Sequence, residues 1–195
     1  MPVSVNVPDV AAKRKRWSEK LPQCDKNKLV FLDESGINTD LTRIYGRSVG
    51  GSRCTDKTPL NTPKSTTILS SIRLNGEIAY TTYQGGTTND KFIDYLKNVL
   101  APTLHDGDIV VMDNMKTHHS KAVRSVIDEL HINVVYLPPY SPDFNPIEMM
   151  WSKIKSILRK LKVRISEDLP DAVDFAFSKV SVSDCSGWFS SCCCG

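Results

Sequence analysis

Two short stretches, Lys28-Leu29-Val30-Phe31-Leu32-Asp33 and Ile109-Val110-Val111-Met112-Asp113, run through uninterrupted apolar residues and end on an aspartate. An apolar run without polar alternation fits a strand covered on both faces, because neither side can be given to water. A third run of this kind, Asn133–Leu137, is ended by Pro138-Pro139. Three such strands require helices on two sides of a sheet, and that requirement narrows the fold to the layered α/β classes.

The intervening sequence supplies the helices and an antiparallel hairpin. Thr66–Leu74 and Glu77–Tyr83 flank Asn75-Gly76, a strong two-residue hairpin signal. Thr88–Leu104 carries Phe92, Tyr95, Leu96, Val99 and Leu100 at helical spacing, with Thr87 or Thr88 available as cap. Ser120–Leu130, Pro146–Leu161 and Glu167–Val180 read as further helices, and Val10–Leu21 as a short one. The Gly-, Arg-, Ser- and Thr-rich residues 36–64 read as loops with a short strand near Tyr45–Val49. Right-handed crossovers set the strands ending in Asp33, Asp113 and Leu137 side by side. Sites in open α/β sheets lie at the carboxyl ends of strands, where both aspartates fall.

At 40% hydrophobic and 24% charged residues, the 195-residue chain has the composition of one soluble globular domain. No apolar run reaches the roughly 18 residues of a membrane helix, and the first residues lack the pattern of a signal peptide. These features suggest a cytoplasmic protein. The net charge is only +3, but cations cluster at Lys13–Lys20 and at Lys153–Arg164, where they can follow a phosphate backbone. Cys24, Cys54, Cys185 and the Cys192–Cys194 tail lack zinc-knuckle spacing, so reduced thiols and no zinc are expected.

The segment Pro138-Pro139-Tyr140-Ser141-Pro142-Asp143-Phe144-Asn145-Pro146-Ile147-Glu148 delivers a third acid. Asn145 suits a helix N-cap, Pro146 the first helical position and Glu148 the third, which is also the pattern of a capping box. Ile147, Met150, Trp151, Ile154, Ile157, Leu158 and Leu161 form the apolar stripe, leaving Glu148, Ser152, Lys155 and Arg159 on a polar face. Three carboxylates in one cleft repel each other unless cations join them. Hard oxygen donors favour Mg²⁺ or Mn²⁺, and two such ions suit phosphoryl displacement. If Asp33 faces the cleft, Glu34 faces away from it or into the following turn.

The stretches Val30–Gly36, Val110–Asn114 and Leu137–Glu148, with 34 residues between Asp113 and Glu148, resemble the mariner-type insertion-sequence transposases of bacteria, of the DDE superfamily. The likeness extends from about Asp9, through Trp17, to Trp188-Phe189. It implies an α/β, RNase H-like mixed five-stranded sheet with helices on both faces. It also implies cleavage at transposon ends, followed by transfer of the 3′-hydroxyl into target DNA, usually at TA. Asp33 would bridge two ions, Mg²⁺ or Mn²⁺, while Asp113 and Glu148 each hold one. Asn114 and His118 match an Asp-Asn-x-x-x-His pattern, with DNA-backbone roles expected for both. Arg43 and Arg47 match a basic stretch, and Lys155 and Arg159 complete the expected DNA contacts. A homodimer on double-stranded DNA, near the bacterial nucleoid, is implied.

The family carries an upstream helix-turn-helix region, so residues 1–27 are expected to be a linker tail and 28–195 the catalytic domain. Two other readings stay open at this level. One is a truncated non-catalytic remnant or a dimerising inhibitor of the full-length enzyme. The other is an RNase H-like hydrolase of RNA–DNA hybrids.

Overall fold

The computed structural model describes residues 8–43, 45–58 and 65–193. The apolar runs form a five-stranded mixed sheet in the order β3-β2-β1-β4-β5. Its strands are β1 (Leu29–Ile37), β2 (Thr66–Arg73), β3 (Ile78–Gln84), β4 (Ile109–Met112) and β5 (Asn133–Tyr136). β1 pairs antiparallel with β2 and parallel with β4, and β5 continues the parallel part. The β2–β3 hairpin turns at Asn75-Gly76 as expected. Gly76 sits at φ +88°, where a side chain is strained, and a Cβ there would meet Val182 Cγ2 at 3.0 Å.

The sheet is a partition between two apolar layers. Phe31, Ile37, Ile68, Ile72 and Val111 pack on one side against α4 (Pro146–Leu161), α5 (Leu169–Phe177) and α6 (Val182–Cys193). Val30, Leu32, Leu69, Val110 and Met112 pack on the other against α2 (Asn89–Tyr95) and α3 (Lys121–Glu129). The alternation of β1 explains the division, since successive side chains leave opposite faces. The first helix, α1 (Pro8–Lys20), brings Trp17 against the first layer.

Local chemistry sets the helix starts. Thr88 Oγ1 accepts from the Lys91 N–H, and Ser120 Oγ accepts from the Val123 N–H. Past α2 the chain widens into a π turn at Leu96–Leu100 and a 3₁₀ turn at Ala101–Thr103, so the expected helix over 88–104 is α-helical only at its start.

Three other expectations change. The segment 45–49 is no strand; Tyr45 and Val49 are 87% and 91% exposed and pair with no neighbour strand. β5 is an edge strand rather than a buried one, with Val135 39% exposed, because no further strand follows it. The C-terminal residues form α6, which the sequence reading did not assign. Phe189 of α6 is fully buried, with its ring edge-on to Phe31 at 5.4 Å. Burying such a ring contributes about 1.5–3 kcal/mol. Cys185 and Cys192 also face this layer, and burial pushes the Cys192 thiol up to about 11. The Cys193 side chain and Cys194 lie outside the described residues. Among the described residues, no helix is long and apolar enough to cross a membrane.

Candidate active site

Parallel pairing of β1 and β4 aligns Leu32 with Met112, so the next residue on each strand is an aspartate. Asp33 shares the face of Phe31 and therefore turns toward α4. Its Oδ2 accepts from Trp151 Nε1 at 3.3 Å and Asn145 Nδ2 at 3.5 Å, and its Oδ1 from the Glu34 N–H at 2.8 Å. The α4 helix starts directly after the Pro-rich loop and places Glu148, exposed, in its first turn. Asp33, Asp113 and Glu148 line one cleft of 480 Å³, with Asn114, Asn145 and the loop from Leu137 to Pro142 as its walls.

The capping box is not formed. Asn145 holds the N-cap backbone position, and its C=O accepts from the Glu148 N–H at 3.2 Å. Its side chain caps nothing, because it turns to Asp33 instead. No hydrogen bond holds the Glu148 side chain to the cap. The residue that resembled a helix-capping pair thus faces the two aspartates.

The electrostatics of the cleft are those of crowded acids. Burial, then the charges of Glu148 and Asp113, push Asp33 up to about 7, against the pull of the Glu34 N–H and the Trp151 indole. Asp113 is 37% exposed at its side chain, and its Oδ1 accepts from the Met115 N–H at 3.2 Å and meets His118 Nδ1 at 2.9 Å. Among the described residues no three His, Cys, Asp or Glu side chains converge tightly enough to enclose one ion. The donor set is nonetheless one that suits Mg²⁺ or Mn²⁺. It consists of hard oxygens on three elements around an open cleft, with no Lys or Arg paired to them.

His118 differs from the sequence expectation. It is 1% exposed and stacks on Phe92 at 4.5 Å, so it is enclosed behind Asp113 rather than presented to a phosphate. Although burial opposes its protonation, Asp113 and Glu34 outweigh that and push it up to about 9. Glu34 does face away from Asp33. Its Oε2 accepts from the Thr87 hydroxyl, and its Oε1 lies 3.6 Å from His118 Nε2.

The proposed DNA contacts divide by environment. Asn114 is exposed at the cleft rim beside His119, and Arg43 and Arg47 are exposed on the loop after β1. Lys155 and Arg159 are half-buried on α4 without an ion pair among the described residues. Their neighbours in the same basic run are engaged internally. Lys153 pairs with Asp184, Lys162 with Asp56 at 2.7 Å, and Arg164 donates to the carbonyls of Thr39 and Leu41.

One residue that braces the cleft wall escaped the sequence reading. Arg14 of α1 forms a two-pronged pair with Asp143 at 3.0 and 2.6 Å and also donates to Ser141 Oγ and the Tyr140 carbonyl. Its guanidinium stacks over Phe144 at 4.7 Å. A basic residue at this spacing within a solvated run carries no sequence signal of such a contact.

The family described as DDE superfamily endonuclease matches residues 28–170. The transposable element Tcb2 transposase of Caenorhabditis briggsae is 25% identical over 100 residues, covering 48% of this chain and 37% of that protein. The Mos1 transposase paired-end complex with the left transposon end aligns with a TM-score of 0.80 at 19% identity, over 95% of this chain and 60% of that one. The Mos1 mariner transposase catalytic domain aligns with a TM-score of 0.73 at 18% identity, over 95% and 89%. These structures share the RNase H-like fold. The chain spans little more than a third of its curated relative and 60% of the Mos1 chain in the paired-end complex.

Proposed function

The chain belongs to the DDE superfamily endonucleases, and from that premise we propose that it is the catalytic domain of a mariner-type DNA transposase. The observation that carries this reading is the meeting of Asp33, Asp113 and Glu148 in one cleft, on two paired strands and a helix start. Mos1 has been solved as paired-end complexes with Mg and with Mn, which supports divalent ions as the partner of such acids.

In this reading Asp33, Asp113 and Glu148 would hold the two ions, with Asp33 common to both and Asp113 and Glu148 serving one each. Bound Mg²⁺ or Mn²⁺ supplies Lewis-acid stabilisation of the attacking and leaving oxygens of an in-line phosphoryl displacement. In the first reaction water attacks a phosphodiester at a transposon end, the P–O3′ bond breaks, and a 3′-hydroxyl is left. In the second that hydroxyl attacks a target phosphodiester, forming a new P–O3′ bond and releasing a target 3′-hydroxyl. The chain's own residues orient these oxygens. The Pro138–Pro142 wall limits the approach to the cleft, and Trp151 and Asn145 fix one oxygen of Asp33. Lys155 and Arg159 on α4, Asn114 at the rim, and Arg43 and Arg47 on the loop meet the phosphate backbone. The proposal includes a homodimer that brings two DNA ends together, a bacterial, nucleoid-associated setting, and residues 1–27 as linker to an upstream DNA-binding region.

The test is nicking of double-stranded DNA with Mg²⁺, Mn²⁺ or EDTA, using wild type, Asp33→Asn, Asp113→Asn and Glu148→Gln. Activity only with metal, lost in all three variants, is expected. Undiminished cleavage in EDTA, or by Glu148→Gln, refutes the acidic triad. Cleavage of RNA–DNA hybrids in preference to duplex DNA refutes the transposase assignment.

A further inference from the structure

On the face of the sheet opposite Asp33, a line of partly buried polar side chains leads from β3 through the fully buried His118 to the second aspartate. Tyr83 Oη and Thr87 Oγ1 lie 2.5 Å apart, and the Thr87 hydroxyl donates to Glu34 Oε2. Glu34 Oε1 and His118 Nε2 are both buried without a hydrogen-bond partner, and they face each other at 3.6 Å. The other ring nitrogen of His118, Nδ1, lies 2.9 Å from Asp113 Oδ1. Phe92 covers one face of the ring at 4.5 Å, and Tyr136 Oη donates to the His118 carbonyl at 3.3 Å.

This arrangement has a physical purpose that packing alone does not supply. A buried carboxylate oxygen such as Glu34 Oε1 is costly unless a donor faces it, and His118 Nε2 is the nitrogen turned toward it. An imidazole held at one nitrogen presents the other in a fixed direction. Asp113 itself stands beyond the last paired residue of β4, where no ladder fixes its side chain. Among the described residues, its Oδ1 has, apart from His118, the Met115 N–H at 3.2 Å to orient it. The orientation of a ligating carboxylate is set by such outer contacts, and removing them weakens metal binding.

We propose that His118, aimed by Glu34, is a positioning residue that fixes the Asp113 carboxylate for divalent-metal binding. The proposal rests on the reading of Asp113 as a metal ligand. It assigns His118 and Glu34 no contact with DNA. It also gives the glutamate after the first aspartate a task, although it points away from the cleft.

The experiment is calorimetric titration of Mn²⁺ alone into wild type, Asp113→Asn, His118→Ala, His118→Asn and Glu34→Gln, each checked for folding by circular dichroism without metal. Wild type is expected to bind Mn²⁺, and Asp113→Asn to lose sites or most of the affinity. His118→Ala should keep the stoichiometry and bind about 10- to 100-fold more weakly. His118→Asn places an amide nitrogen near the position of Nδ1 and should recover most of that loss. Glu34→Gln should weaken binding less than His118→Ala. If Asp113→Asn binds as wild type does, the ligand reading is wrong and the proposal falls with it. If Asp113→Asn loses binding while His118→Ala keeps wild-type affinity, the proposal alone is overturned. Failure of His118→Asn to recover affinity also overturns it. Should His118→Ala not fold, unchanged affinity in Glu34→Gln decides against the proposal.

Discussion

The two ends of the parallel strands treat charge in opposite ways. At the amino ends, Arg73 of β2 and Asp108, just before β4, are 4% and 6% exposed and pair at 2.5 Å. Arg73 also donates to the Thr103 carbonyl at 2.8 Å and pairs with Glu77 at 3.3 Å, and Asp108 accepts from the His105 N–H at 2.6 Å. At the carboxyl ends, Asp33, Asp113 and Glu148 share a cleft in which no Lys or Arg among the described residues pairs with them. The charge at the first end is balanced within the chain, whereas at the second His118 meets Asp113 and the described residues give Asp33 and Glu148 no cation. The guanidinium holds the Asp108 carboxyl below the usual range against the effect of burial, whereas burial and its neighbours push Asp33 up to about 7. A fold that pairs a buried acid with Arg at one end and gathers three acids without Lys or Arg at the other, among the described residues, marks the second end as the working one.

The contrast gives four measurements. Arg73→Ala leaves Asp108 buried without its cation and should cost about 3–5 kcal/mol in denaturant unfolding. Replacing both partners by apolar residues should cost far less, and an equal loss in the double variant shows that the pair is not what stabilises this end. Metal should act only at the other end. Mn²⁺ at 100 times its Kd should stabilise wild type and Arg73→Ala alike by about 2.7 kcal/mol, and Asp33→Asn by little or nothing.

Without metal, Asp33→Asn should be more stable than wild type at pH 8, by about 1–4 kcal/mol. The sign follows from a folded pKa of about 7 above an ordinary value of 3.8. The stabilising contribution of protonated Asp33 is complete below pH 4 and is lost as pH rises through 7. The advantage of the Asn variant therefore grows across that window and disappears at low pH. An advantage that does not change with pH means that the acid is not crowded. Smallest is Glu148→Gln, which should change apo stability by less than about 0.5 kcal/mol, because the side chain is exposed and caps nothing. Glu148→Ala should change it as little, and a loss above about 1 kcal/mol in that variant but not in Glu148→Gln restores the capping-box reading, since Gln keeps a capping acceptor and Ala does not.

The strands of the center, the hairpin at Asn75-Gly76 and the length of α4 were legible because each has a local cause. Those causes are apolar continuity, a two-residue turn, and a Pro at the first helical turn with an apolar stripe behind it. β5 was legible as a strand but not as an edge, since its composition matches that of an interior strand and only the sheet order decides. α6 has a weak local pattern, with Gly187 and several serines, and gains its place from Phe189 on Phe31. The acids were legible from their positions at element ends. What Asn145 and His118 do was not, because both choose a tertiary partner over a local one. Asn145 turns from the helix N-terminus to Asp33, and His118 turns inward to Glu34. Half of the basic run 153–164 is likewise engaged by distant segments, Lys153 and Lys162 by Asp184 and Asp56 and Arg164 by the carbonyls of Thr39 and Leu41.

Arg14 joins α1 to a loop more than a hundred residues along the chain, and so works as a rivet between the polypeptide's two halves. The family match begins only at residue 28, so a minimal fragment drawn at that boundary keeps Asp33, Asp113 and Glu148 and discards the rivet. The same link ties α1 to the loop that walls the cleft, so a change at α1 is passed to Ser141 and Asp143, next to Pro142, rather than to the sheet.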